Sequence, residues 1–335
     1  MKLTPLLEKY VTMMRTGELR TRSGTNYKPM SIKSYNFAFK TYQRYAKSGI
    51  NLEEFNLTNL SLEEKRAVAD KFNRHIDLFI DWMTRQKFSA NTRRDVTNIL
   101  KIVTDYWAEQ YFLTIPKVRR AIGVDVPIVT LPIQFVKDFI NDTANRYDSM
   151  SPEHKYLWEL SATMLVTSLR VGDAINLSKS DIVMNGSVYL MKENQKTGAM
   201  TTLPLPESLY KRYIYNLENF GSVYTPIRFG CKDTFINKNL KPFFATYPEM
   251  HEETTYKKAD HTGDKSLQSK KFCDIVHPHM LRKTAITTML AGGVSLDHVR
   301  FASGHKSDAI KRYQGWVDSV HKSEINTYYE QFLNA

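Results

Sequence analysis

The chain has 335 residues, of which 42% are hydrophobic, and a formal charge of +12. That length suits about two domains, the apolar share excludes a largely disordered chain, and the positive balance points to a polyanionic partner, most often nucleic acid. Two cysteines, Cys231 and Cys273, make no disulfide framework and fit a reducing compartment. No apolar run approaches the ~20 residues of a membrane span, and Met1-Lys2-Leu3-Thr4-Pro5 lacks a signal-peptide core. A cytoplasmic protein with no membrane partner is therefore expected.

Residues 1–112 read as helices. Leu6, Leu7, Tyr10, Val11 and Met14 recur at helical spacing. Ser31 is placed to cap a helix carrying Tyr35, Phe39, Tyr42 and Ala46, which Gly49 stops. Phe72, Ile76, Phe79, Ile80 and Met83 form a third stripe, and Ser89 caps a fourth with Val96, Ile99, Val103 and Tyr106. The charge is concentrated here: residues 1–130 hold 22 Lys and Arg against 13 Asp and Glu. Arg44, Arg93 and Arg94 lie beside the apolar stripes, where helices can present cations to phosphates largely regardless of base sequence.

Between Thr114 and Pro132 the periodicity breaks at Pro116, Gly123 and Pro127, and Lys117, Arg119 and Arg120 add charge. The segment 116–131 reads as a basic linker between domains at 1–115 and 132–335, suited to lie along a duplex. A helix is expected near 132–146. Ser151-Pro152-Glu153 starts another, carrying Leu157, Leu160, Met164 and Leu165 into Leu169-Arg170. Residues 187–205 change period and predict two strands around a turn at Lys196-Thr197-Gly198. The polar stretch 248–272 reads as a surface loop, and a helix returns from His279 to Leu290, ending at Gly292-Gly293. Mainly helical domains with one small sheet are expected.

The chemistry sits in His279-Met280-Leu281-Arg282, Gly304-His305 and Tyr313. An arginine and a histidine one helical turn apart can grip one phosphate, and a second histidine and a tyrosine close behind can act on the backbone that carries it. Metal-free phosphodiester cleavage needs arginines for the non-bridging oxygens, an oxygen nucleophile, and an acid for the leaving 5′ oxygen. Cys273, His277 and His279 lack a fourth ligand at a sensible spacing, so no metal is expected.

These residues resemble a known family. Thr167-Ser168-Leu169-Arg170-Val171-Gly172-Asp173, with Leu177 and Asp181, resembles the first box of the tyrosine recombinases, the phage-integrase family. The His279 to Tyr313 cluster resembles the second box, and Gln195-Lys196-Thr197-Gly198 the lysine-bearing hairpin turn. The motifs span Thr167 to Tyr313, and the basic helices before residue 115 are similar, more weakly, to the family's core-binding domain. The resemblance implies a helical SAM-like core-binding domain followed by a mixed α+β catalytic domain with a small antiparallel sheet. It implies that Arg170, Arg282, His279 and His305 hold the scissile phosphate, with Asp173 orienting Arg170 through an ion pair. It implies that Lys196 protonates the leaving 5′ oxygen, with Lys192 its nearest substitute, and that Tyr313 attacks phosphorus to leave a 3′-phosphotyrosyl link. Tyr328 and Tyr329 are rival nucleophiles. No cofactor or ATP is then needed. The expected partners are double-stranded DNA, three further copies in a homo-tetramer on paired sites, and accessory bending or directionality factors.

The pattern departs from the family in three places. The step from His305 to Tyr313 is one residue shorter than usual, Ser168 stands where glycine is common, and Ser303 stands where leucine often precedes Gly-His. Three roles share the motifs: integrase of a phage or mobile element, Xer-type chromosome-dimer resolvase, and DNA-binding relative without chemistry. Because the helices begin almost at Met1, a separate arm-binding domain is not expected. The segment from Trp316 to Ala335 is expected to pack on a protomer, its own or a neighbour's.

Overall fold

A computed structural model of the protein describes residues 1–125, 128–185, 187–195, 198–228, 232–304, 310, 311 and 313. Two compact units emerge: Met1–Val126 with Lys257–Leu267, and Pro127–Tyr256 with Gln268–Ala335.

The first unit is built on helices α1 (Leu3–Thr16), α2 (Pro29–Tyr45), α3 (Leu62–Arg85) and α4 (Ala90–Gln110). Their predicted stripes become one core: Leu7, Tyr42, Phe72, Ile76, Phe79, Met83 and Leu100 are all fully buried, each contributing about 1.5–3 kcal/mol on removal from water. Trp107 Nε1 donates to the Leu6 carbonyl at 2.9 Å and ties α4 to α1. Ser89 caps α4 by accepting from Thr92 N at 3.1 Å, as the sequence predicts. Ser31 does not cap α2: Lys28 takes that place and Pro29 opens the helix, because the proline supplies the fixed φ of a first turn without needing a hydroxyl. The start of the expected linker is also less free than its composition implies. Val118 is buried in the helical core, Ala121 N donates to Thr97 Oγ1 at 2.9 Å, and Val124 N donates to Asn91 Oδ1 at 3.1 Å.

In the second unit, α5 (Ile133–Asn141) ends earlier than predicted, at Asp142 in the left-handed region. Helix α6 (Pro152–Thr167) starts on Ser151, which accepts from His154 N at 3.3 Å. From Tyr156 to Leu165 every residue of α6 is buried, which makes it the axis of this unit. It packs against α8 (Glu207–Phe220), α9 (Lys232–Phe244) and α11 (Pro278–Ala291). Glu159, wholly buried on α6, accepts from Tyr147 Oη, Asn216 Nδ2 at 2.7 Å, and Thr225 N and Oγ1 at 2.7 and 2.9 Å. A buried carboxylate needs such a full set of donors. The short α7 (Val171–Ala174) follows α6 directly.

The sheet has three strands, β1 (Ile182–Asn185), β2 (Ser187–Glu193) and β3 (Met200–Pro204), in antiparallel order β1-β2-β3 with Lys192 opposite Thr201. Two of them were predicted. The stretch expected as a loop is instead a two-stranded ribbon, β4 (Glu253–Ala259) and β5 (Lys265–Lys271). Its residues are exposed or half-buried on both faces, so no hydrophobic alternation marks it in the sequence. Asp260 Oδ1 closes its turn by accepting from the amides of Thr262, Gly263 and Asp264 at 2.8, 2.9 and 3.1 Å. Helices α10 (Phe272–Ile275), α11 and α12 (Leu296–Ser303) complete the described fold.

Candidate functional site

Three local structures converge in the second unit. Helix α6 ends at Ser168, which holds a left-handed φ of 53°, and the chain turns so that Arg170 caps α7. Helix α11 starts at Pro278 and places His279 and Arg282 one turn apart on one face. Helix α12 ends at Gly304, φ 63°. Arg282 is buried and joins all three: its guanidinium donates to the Ser168 carbonyl and, at 2.7 Å, to the Ser303 carbonyl. Two of its five N–H groups are thus committed among the described residues.

Electrostatics link these groups to one another. Burial and the charge of Arg170 push Arg282 down to about 10, while Tyr313 and Asp173 act in the opposite direction. Arg282 stays cationic at neutral pH. His279 keeps an exposed edge, but burial of the rest of the ring, followed by Lys283, Arg282, His277 and Arg170, pushes it down to about 4. A cluster of cations this dense is poised for an anion. Tyr313 is buried at 8% exposure, in an apolar cluster with Ile286, Leu290, Val299 and Ile310. Lys283, buried on the same helix as His279, was not singled out by the sequence.

Arg170 differs from expectation in its partner. Its Nη1 donates to Asn194 Oδ1 at 3.0 Å, and among the ion pairs of the described residues none joins it to Asp173. Asp173 instead accepts from Gln195 N at 2.9 Å, which fixes the end of β2; a carboxylate beside a backbone amide is held more closely than one that must reach past a helix turn. Asn194 was missed because a lone asparagine carries no periodic signal. Lys192, the substitute for Lys196, is engaged elsewhere: its ammonium meets Asp181 Oδ2 at 2.8 Å and the Asn176 carbonyl at 2.7 Å. Lys196, His305, Tyr328, Tyr329 and the segment after Tyr313 lie outside the described residues.

In the first unit the expected phosphate contacts divide. Arg44, Arg94, Lys117, Arg119 and Arg120 are exposed. Arg94 pairs with Asp95 at 3.1 Å and Arg119 with Asp77 at 3.2 Å; such surface pairs are worth ~0–1 kcal/mol and release easily to a phosphate. Arg93 is a correction. It is buried, and its guanidinium is spent on the carbonyls of Phe88 at 2.7 Å, of Thr262 at 3.3 Å and of His261, so it pins the ribbon's turn and offers nothing to DNA. Among the described residues no helix is long and apolar enough to cross a membrane.

Comparison with known proteins identifies the family and the fold. The profile described as the phage integrase family matches residues 136–314. No curated protein matches the sequence. Among solved structures, the Tn1549 transposon integrase in complex with a circular intermediate DNA aligns at 14% identity with a TM-score of 0.63, over 94% of this chain and 95% of that one. The same integrase with transposon right end DNA aligns at 14% identity and a TM-score of 0.61, over 98% and 100%. The XerH site-specific recombinase bound to difH substrate aligns at 15% identity and a TM-score of 0.53, over 93% and 81%. These likenesses extend the shared fold to nearly the whole chain.

Proposed function

The chain belongs to the phage integrase family, the tyrosine recombinases, and we propose that it cuts and rejoins DNA at specific sites through a 3′-phosphotyrosyl intermediate, to integrate or excise a phage or other mobile element. The observation that supports this reading most directly is the buried Arg282, whose guanidinium donates to the carbonyls of Ser168, two residues before Arg170, and of Ser303, so that the turn carrying Arg170, the helix carrying His279 and the end of α12 meet at one cation. Arg282, already fixed by two carbonyls, and Arg170 meet the non-bridging oxygens of the scissile phosphate, where negative charge gathers in the transition state. His279, uncharged in the free protein, donates to the same phosphate and takes part in handling the tyrosine proton. Tyr313 Oη attacks phosphorus; the P–O5′ bond breaks, and the leaving oxygen takes a proton from Lys196. His305 supplies the remaining phosphate contact.

The phosphotyrosyl bond conserves the energy of the broken one, so the 5′ hydroxyl of a partner strand reverses the step without ATP or metal. Exchange between two duplexes in this way requires four copies acting on paired sites. The basic first unit and the segment 116–131, through Arg44, Arg94, Lys117, Arg119 and Arg120, provide the sequence-independent clamp.

The test is a duplex enriched from a random pool by the purified chain, nicked beside the cleaved bond so that the short product diffuses away. Wild type is expected to accumulate a covalent protein–DNA adduct, and Tyr313→Phe to bind equally and form none. An adduct that persists in Tyr313→Phe rejects the nucleophile, and no adduct with wild type favours a DNA-binding relative without chemistry. A direct repeat spanning an element boundary beside the gene separates integration from chromosome-dimer resolution.

A further inference from the structure

Asn194 is wholly buried, yet its side chain directs its hydrogen bonds into the site. Its Oδ1 accepts from Arg170 Nη1 at 3.0 Å. Its Nδ2 donates to the Ala199 carbonyl at 2.9 Å and to Thr201 Oγ1 at 2.7 Å. Its backbone brackets the same connection, with Asn194 N donating to Ala199 O at 2.9 Å and Gly198 N to Asn194 O at 2.7 Å. The five positions from Asn194 to Gly198 contain Lys196 in sequence. A third element closes on the same amide: a Cβ on Gly304 would stand 2.5 Å from Asn194 Nδ2, so only glycine lets the end of α12 approach this closely.

One carboxamide thus reads the position of Arg170 through its oxygen and the position of the β2–β3 connection through its nitrogen. Neither end can shift alone without leaving a buried polar group unpaired. We infer that Asn194 is a positioning residue that couples the arginine gripping the phosphate to the strand connection that delivers the proton to the leaving 5′ oxygen, so that both arrive together. The inference rests on the recombinase reading above. Asn194 touches neither the phosphate nor the leaving group; it acts through the residues it holds.

Bond-specific chemistry separates this role from a structural one. The substrate is the enriched, nicked duplex, prepared with either oxygen or sulfur bridging at the 5′ side of the cleaved bond. A thiolate leaves without a proton, so sulfur compensates for a misplaced acid and not for a misplaced arginine. Asn194→Ala is expected to bind the oxygen duplex as wild type does, to form adduct on it ~10²-fold more slowly, and to recover roughly tenfold of that loss on the sulfur duplex. If Asn194→Ala fails to fold, Asn194→Asp keeps the volume and the acceptor for Arg170, removes both amide donors, and is expected to show the same recovery. Wild-type rates in the substituted protein overturn the inference, and so does a loss equal on both duplexes, which assigns Asn194 to Arg170 alone. A wild-type chain that forms no adduct on either duplex rejects the recombinase reading and this inference with it.

Discussion

Arg282 reaches across to the carbonyl of Ser168, a residue held in the left-handed region at φ 53°. That backbone conformation aims the carbonyl at the guanidinium and helps to fix it. Ser168 Oγ is buried with no hydrogen-bond partner among the described residues. Glycine adopts this backbone freely and carries no hydroxyl to bury. Ser168→Gly is expected to raise stability by about 1 kcal/mol, leaving the Arg282 hydrogen bonds in place. Denaturant unfolding measures it, and a loss of stability would show that the serine is doing something the geometry does not reveal.

Gly304→Ala should act in the reverse sense. It adds a Cβ where φ is 63° and where the buried Asn194 amide cannot swing away. A loss of about 1–3 kcal/mol is expected, together with slower adduct formation, because the displaced amide is the partner of Arg170. Unfolding and cleavage assays on one preparation give both numbers.

Arg93 and the exposed basic residues of 116–131 should separate cleanly. Arg93→Ala is expected to cost about 2 kcal/mol of stability by stripping donors from buried carbonyls, with the salt dependence of DNA binding unchanged. Lys117→Ala and Arg120→Ala are expected to leave stability within roughly 0.5 kcal/mol. Each should flatten the slope of log affinity against log salt by about 0.9 for every phosphate it no longer neutralises. A flattened slope in Arg93→Ala would overturn the division.

The His279 imidazole should titrate near 4 in the free protein, as followed by its NMR shifts. With the folded value below the ordinary 6.5, the unfolded chain binds more protons between the two, so stability is full above about 6.5 and declines as pH falls towards 4. A bound phosphate reverses the local field, so DNA is expected to raise the midpoint. A midpoint unmoved by DNA would place His279 away from the phosphate.

Glu159→Ala should be among the most damaging substitutions away from the cluster. It strands the donors of Tyr147, Asn216 and Thr225, and a loss of about 2–4 kcal/mol is expected from thermal unfolding.

Much of the fold was legible in the sequence because helices with one apolar face announce themselves: the stripes of α1, α3 and α4 and the Ser151-Pro152 start of α6 fall where spacing puts them. The candidate residues Arg170, His279, Arg282 and Tyr313 could be singled out because they stand in a fixed order of types. Partnerships were not. Arg93 reads as a surface cation until its burial is seen, Arg170 is held by an amide that no pattern marks, and β4 and β5 bury neither face enough to leave a period of two. Sequence periodicity reports which side of an element is dry; it carries nothing about which of several polar neighbours a side chain will choose.

The second carbonyl that holds Arg282 belongs to Ser303, the last residue of α12, ten positions ahead of Tyr313. The end of α12 and the helix that carries His279 are thus joined through one buried side chain, and the backbone at Ser303 cannot move away without leaving a donor of Arg282 unpaired.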